Sequence, residues 1–140
     1  AAKPSPRSLP VRPASQPAPN RGRVVIVDDE ALVGNLLTKA LGRDHATYTF
    51  ADAREALVHL KAHPDVDVIL CDLVMPDMSG MEFYEALFQT APTLSARVIF
   101  LTGGAFTQTM LEFLERVPNL HLRKPLNISE LRAVVNERVG

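Results

Sequence analysis

VVIVDDE, residues 24–30, decides the fold. Val24 to Val27 form an unbroken β-branched apolar run with no polar alternation. Such a run suits a strand covered on both faces, and strands of that kind belong to parallel sheets. The run stops abruptly in three acids, Asp28, Asp29 and Glu30. A buried strand that crowds carboxylates at its tip needs something positive beside them.

Outward from this stretch the chain alternates. EALVGNLLTKAL places Leu32, Val33, Leu36, Leu37, Ala40 and Leu41 on one helical stripe. Thr47 to Phe50 is a short β-prone run, and Asp52 with Glu55 resembles a capping box ahead of a helix that Pro64 closes. VDVILCD (66–72) is a second strongly apolar strand, and Ser79 with Glu82 is a full S-x-x-E box for the next helix. RVIFL (97–101) is a strand, Phe106 to Val117 a helix, LHLR a short strand, and Asn127 with Glu130 starts a last helix. Five strands alternating with five helices predict a doubly wound α/β sandwich with right-handed crossovers.

Composition narrows the function classes. The chain has 140 residues, 46% of them apolar and 22% charged, and a single cysteine. One cysteine excludes an internal disulfide framework and fits a reducing cytoplasm. No apolar run nears the roughly 20 residues that span a bilayer. Of 15 Lys and Arg, five lie in residues 1–23 with no acid, so ten face 16 acids in the rest, a net of about -6. Six of the 11 prolines share that first segment. Residues 1–22 therefore read as a Pro-rich basic linker or tail, and 23–140 as one domain. An acidic body argues against nucleic-acid binding by the domain, and nothing in it suggests a membrane contact.

In open α/β sheets ligands bind beyond the carboxyl ends of the strands. There the first strand delivers Asp28 and Asp29, the third Asp72, the fourth Thr102, and the fifth Lys124 followed by Pro125. Two carboxylates about 5 Å apart repel by roughly 3 kcal/mol at an effective dielectric of 20. A hard divalent cation removes that repulsion, and Mg²⁺ takes one or two carboxylates plus water and phosphate oxygens. One carboxylate is then left as a nucleophile toward phosphorus. Lys124 and Thr102 suit the charge that spreads over a phosphoryl group in transfer. Cys71 alternates away from Asp72 into the core, and Pro76 and Gly80 shape the turn in PDMSG. Gly103 and Gly104 leave room beside Asp72. His45, His59 and His63 read as surface residues without ligand spacing.

IVDDE, CDLVMPDMSG, FLTGGA and LRKP, in this order and spacing, resemble the response-regulator receiver family of two-component signalling over residues 23–139. The resemblance implies a flavodoxin-like, CheY-like sheet of order 2-1-3-4-5. It implies that Asp72 is the phosphoacceptor, supplied by a histidine kinase or a histidine phosphotransfer domain. Mg²⁺ would then be held by Asp29, Asp72 and the backbone carbonyl of Val74, with Asp28 acting mainly through water. Thr102 and Lys124 would contact the phosphoryl group, and Lys124–Pro125 would be cis. His121 stands where the family often has an aromatic switch residue. Val74 and Gly104, two beyond Asp72 and Thr102, cannot orient a water through their side chains, so they are expected to tune phosphate lifetime.

Such a domain catalyses its own phosphorylation but is not a turnover enzyme alone. The arm ahead of Arg23 suggests the C-terminal receiver of a hybrid histidine kinase, with a stand-alone response regulator as the alternative. A different class, a Mg²⁺-dependent aspartyl phosphohydrolase, wants D-x-D-x-[TV] after the first strand; here Asp28 is followed by DEA.

Overall fold

The computed structural model describes residues 21–140. Apart from Arg21 and Gly22, the expected Pro-rich arm lies outside the described residues. Five parallel strands, β1 (Arg23–Val27), β2 (Ala46–Phe50), β3 (Val68–Asp72), β4 (Val98–Thr102) and β5 (His121–Arg123), form one sheet of order β2-β1-β3-β4-β5. Between them run α1 (Ala31–Leu41), α2 (Ala53–Ala62), α3 (Gly80–Thr90), α4 (Pro92–Ser95), α5 (Gln108–Arg116) and, after β5, α6 (Ile128–Val139). This is the flavodoxin-like order expected from the sequence. It has one helix more than expected, the single turn α4, which opens with Pro92 at its first position. Proline suits that position because its missing N–H would have no partner there.

Strand alternation sorts the core into two layers. Val25, Val27, Ile69, Cys71, Val98 and Phe100 face Ala56, Leu60, Phe83, Leu87 and Phe113 of α2, α3 and α5. Val24, Ile26, Val68, Leu70, Ile99 and Leu101 face Leu37, Leu41, Leu131 and Val135 of α1 and α6. All of these strand residues are fully buried, which is why their runs lack polar alternation. Cys71 lies in the core as expected.

The apolar stripe of α1 is narrower than the sequence suggests. Leu37 and Leu41 are buried, but Leu32 is 84% exposed and Leu36 45%. Leu32 and Leu36 each precede a seam residue by one position, about 100° around the helix, and so turn to solvent. Caps follow chemistry more closely. Ser79 and Glu82 make the full reciprocal box at α3. Asp52 and Asn127 only accept from Arg54 N–H and Glu130 N–H, so the boxes expected at α2 and α6 are one-sided.

His45 departs from the surface expectation. It is 1% exposed, its Nδ1 accepts from Gly22 N–H at 3.0 Å, and its Nε2 meets Asn136 Oδ1 at 2.6 Å. Ala46 N–H also donates to Gly22 O at 2.9 Å. The ring thus ties the segment before β1 to α6, because a buried imidazole must find partners for both nitrogens.

Candidate functional site

Register assembles the site before any side chain is considered. Val27 pairs with Cys71, so the next residues, Asp28 and Asp72, stand side by side. Thr102 pairs with Arg123, so Lys124 follows directly beside it. The strand order reverses between β1 and β3, the switch point where parallel sheets open a crevice. The crevice here is about 550 Å³ and is lined by Asp29, Glu30, Asp72, Val74, Gly103, Gly104, Lys124 and Pro125.

Lys124 is the hub. Its Nζ donates to Glu30 Oε1 at 2.9 Å, Asp28 Oδ2 at 3.0 Å and Asp72 Oδ2 at 3.3 Å. Burial opposes its charge, yet the hydrogen bonds to Glu30 and Asp28 and the charges of Asp72 and Asp28 outweigh it and raise its pKa. The Lys124–Pro125 bond is cis, as the family resemblance implied. Asp72 is 5% exposed, and Val74 N–H donates to its Oδ1 at 3.3 Å. Burial and then the Asp28 charge push its pKa up, and Lys124 and the Val74 N–H only partly restore it. The same carboxylates, after burial itself, hold the Cys71 thiol well above its ordinary value, so the neighbouring sulfur stays protonated and unreactive.

Asp28, Asp29 and Asp72 each offer an oxygen, and these oxygens lie within 4.8 Å of one another. Three hard oxygen donors at one strand edge, one of them destabilised by its neighbour, fit a small divalent cation. Both Asp28 oxygens are already engaged, Oδ1 by Glu30 N–H and Oδ2 by Lys124. Asp29 is exposed and makes no hydrogen bond among the described residues.

Thr102 is 1% exposed, and its hydroxyl reaches Leu122 O at 3.4 Å across the strand pair. His121, on the edge strand β5, is exposed. Val74 is 58% exposed at the crevice, and Gly104 has φ +67° with nothing within 4 Å of where a Cβ would stand. The structure therefore gathers Asp28, Asp29, Asp72 and Lys124 in one cluster. Val74 and Gly104 line its mouth, Thr102 stands beside Lys124, and His121 lies apart on the outer face.

Sequence reasoning left Glu30 without a role. It is the N-cap of α1 but makes no side-chain cap bond, because its carboxylate goes to Lys124 instead. The signal was the third acid of the opening run.

The model of the response regulator receiver domain family matches residues 24–136, and the chain belongs to that family, whose members act in two-component signalling. Among curated proteins it is 31% identical over 123 residues to the transcriptional regulatory protein KdpE of Staphylococcus aureus, covering 86% of this chain and 52% of KdpE. The chain thus spans about half the length of that relative. Among solved structures, the Vibrio cholerae chemotaxis protein CheY4 superposes with a TM-score of 0.71 at 27% identity, covering 86% of this chain and 99% of that one. A receiver domain from Clostridium thermocellum gives a TM-score of 0.74 at 23% identity, covering 84% and 94%, and speaks for the fold alone.

Proposed function

We propose that this receiver domain takes a phosphoryl group from a phosphohistidine, on a histidine kinase or a histidine phosphotransfer domain, onto Asp72. One observation carries the reading. Asp72 is a buried strand-end carboxylate held between Asp28 and the Lys124 ammonium, with an open crevice on its remaining side. An Asp72 oxygen forms the new P–O bond as the P–N bond to the donor imidazole breaks, and the imidazole keeps that electron pair. Lys124, already 3.3 Å from Asp72 Oδ2, balances the charge that arrives. Thr102 is assigned the contact with a further phosphoryl oxygen, and His121 the outer end of the conformational switch.

Asp29, Asp72 and the Val74 carbonyl are assigned to Mg²⁺, with Asp28, whose oxygens are both occupied, acting from behind. When bound, Mg²⁺ supplies neutralisation of the crowded carboxylates and of the phosphoryl oxygens. Incubation with acetyl phosphate and Mg²⁺ should add one hydroxylamine-labile phosphoryl group per chain. A chain that stays unmodified would contradict the reading.

Mg²⁺ should also raise the melting temperature. A ligand at about 100 times its Kd adds about 2.7 kcal/mol. Asp29→Asn should remove most of that increment, as thermal melts with and without Mg²⁺ will read.

Phosphate lifetime should respond to Val74. Hydrolysis needs a water aligned behind the phosphorus, and neither Val74 nor Gly104 can hydrogen-bond it. Val74→Asn should speed dephosphorylation by up to about tenfold, short of the roughly 10²–10⁴-fold that a fully developed general base supplies. Phosphate release, followed with time in both proteins, checks this.

No helix among the described residues is long and apolar enough to cross a membrane. The setting we propose is a cytoplasmic receiver joined to a hybrid histidine kinase. The coding sequence on either side of the chain tests it, since kinase domains there support it and their lack favours a stand-alone regulator.

A further inference from the structure

The sequence treats His59 and His63 as scattered surface residues, but they are one helical turn apart. The backbone bond from His63 N–H to His59 O, 2.8 Å, closes that turn at the C-terminus of α2 and sets the two side chains on the same face. Their ring centres are 4.7 Å apart with planes tilted by 35°. An ion held at about 2.0–2.1 Å by one nitrogen of each ring would set the ring centres roughly 4.5–5.2 Å apart at square to tetrahedral angles. No hydrogen bond among the described residues engages either imidazole, so the ring nitrogens remain available as ligands.

The surroundings suit an ion as well. The rings open into a cleft of about 340 Å³ lined also by Arg23, Tyr48, Asp65 and Val66. The Tyr48 and Phe50 rings pack on His59 at 5.2 and 5.0 Å and hold it in place, as a ligand's supporting shell should. Asp65 is bound to Arg23, but the two side chains are 64% and 51% exposed. An exposed bridge of that kind contributes little, so Asp65 can turn toward an ion at small cost. Among the described residues no group of three or more His, Cys, Asp or Glu placed to hold a metal includes either ring. The site is therefore an open chelate that water or Asp65 completes, not a closed four-ligand centre.

We propose that His59 and His63 form a second metal site, separate from the acidic crevice, that takes a first-row transition ion such as Ni²⁺ or Zn²⁺ through two imidazoles. The donor chemistry separates the two sites. Imidazole selects Zn, Cu and Ni, whereas carboxylate and carbonyl oxygens select Mg. Occupation would staple the end of α2 and so stabilise the fold by linkage.

The test uses the untagged full chain in saturating Mg²⁺, titrated with Ni²⁺ and followed by calorimetry and by amide NMR. One Ni²⁺ should bind per chain, and paramagnetic signal loss should centre on residues 59–63 and on Tyr48 while Asp72 and its neighbours persist. His63→Gln and His59→Gln should each weaken binding by about 100-fold or more, since losing an outer-shell partner alone costs about 10–100-fold. His63 is exposed, so its variant should keep the parental melting temperature. Asp29→Asn should leave Ni²⁺ affinity unchanged. Parental affinity in either histidine variant, or signal loss centred on Asp72, would show the pair to be aromatic packing only.

Discussion

Asp72→Asn should abolish phosphorylation by acetyl phosphate and, in Mg²⁺-free buffer at neutral pH, raise the melting temperature by a few degrees. The first effect follows from chemistry, since a carboxamide is no nucleophile toward phosphorus. The second follows from electrostatics. Burial and Asp28 raise the pKa of Asp72 in the folded chain, so its ionised form is a standing cost of folding. A group with a raised folded pKa contributes stability that is complete below its unfolded pKa and is lost as pH rises through the folded one. The gain from Asp72→Asn should therefore be full above the folded pKa and vanish as pH falls below about 3.9, the ordinary aspartate value. Mg²⁺ should reverse the comparison, because the parent gains a ligand that the variant cannot hold. A variant less stable than the parent in metal-free buffer at pH 7 would show that Lys124, not Asp28 and burial, governs the site.

Gly80→Ala should slow phosphorylation by about 10²-fold although Gly80 is no part of the acidic cluster. Gly80 begins α3 and donates its N–H to Leu73 O at 2.9 Å, so the helix start lies directly on the chain leaving β3. A Cβ there would overlap the carbonyl oxygen of Asp72 and come within 2.9 Å of Leu73 Cα. Both are backbone atoms and cannot rotate away. Overpacking of this kind costs about 1–3 kcal/mol or more. Relief requires the backbone at Asp72 to move, and a displacement of about 1 Å at a reacting group can cost about 10²-fold in rate. Denaturation midpoints and the acetyl phosphate reaction rate read the two effects separately. A variant with parental stability and rate would mean that α3 does not position Asp72.

Much of this architecture was legible because single residues carry it. Val24 to Val27 and Val68 to Cys71 are buried on both faces, and buried parallel strands leave an unambiguous apolar run. Parallel register then brings Asp28, Asp72, Thr102 and Lys124 to one edge without further information. What escaped depends on contacts between distant residues. His45 is buried because Gly22 and Asn136, 23 and 91 positions away, satisfy its two nitrogens. Glu30 has no evident role in the sequence, because the Lys124 that takes its carboxylate lies 94 positions on. Leu32 and Leu36 fit the α1 stripe by period alone, and only the packed helix decides which edge of a wide stripe meets the sheet. The turn of α4 is too short for any periodicity, with Pro92 as its one local sign.

The most direct test of the account is to locate the phosphoryl group. After reaction with acetyl phosphate and Mg²⁺, borohydride reduction converts an aspartyl phosphate to homoserine, which peptide mass spectrometry places on one residue. The buried carboxylate between Asp28 and Lys124 is the expected nucleophile, so homoserine should appear at position 72 and nowhere else. Homoserine at position 28 or 29, with Asp72 unreduced, would contradict the assignment and favour an aspartyl phosphohydrolase arrangement instead.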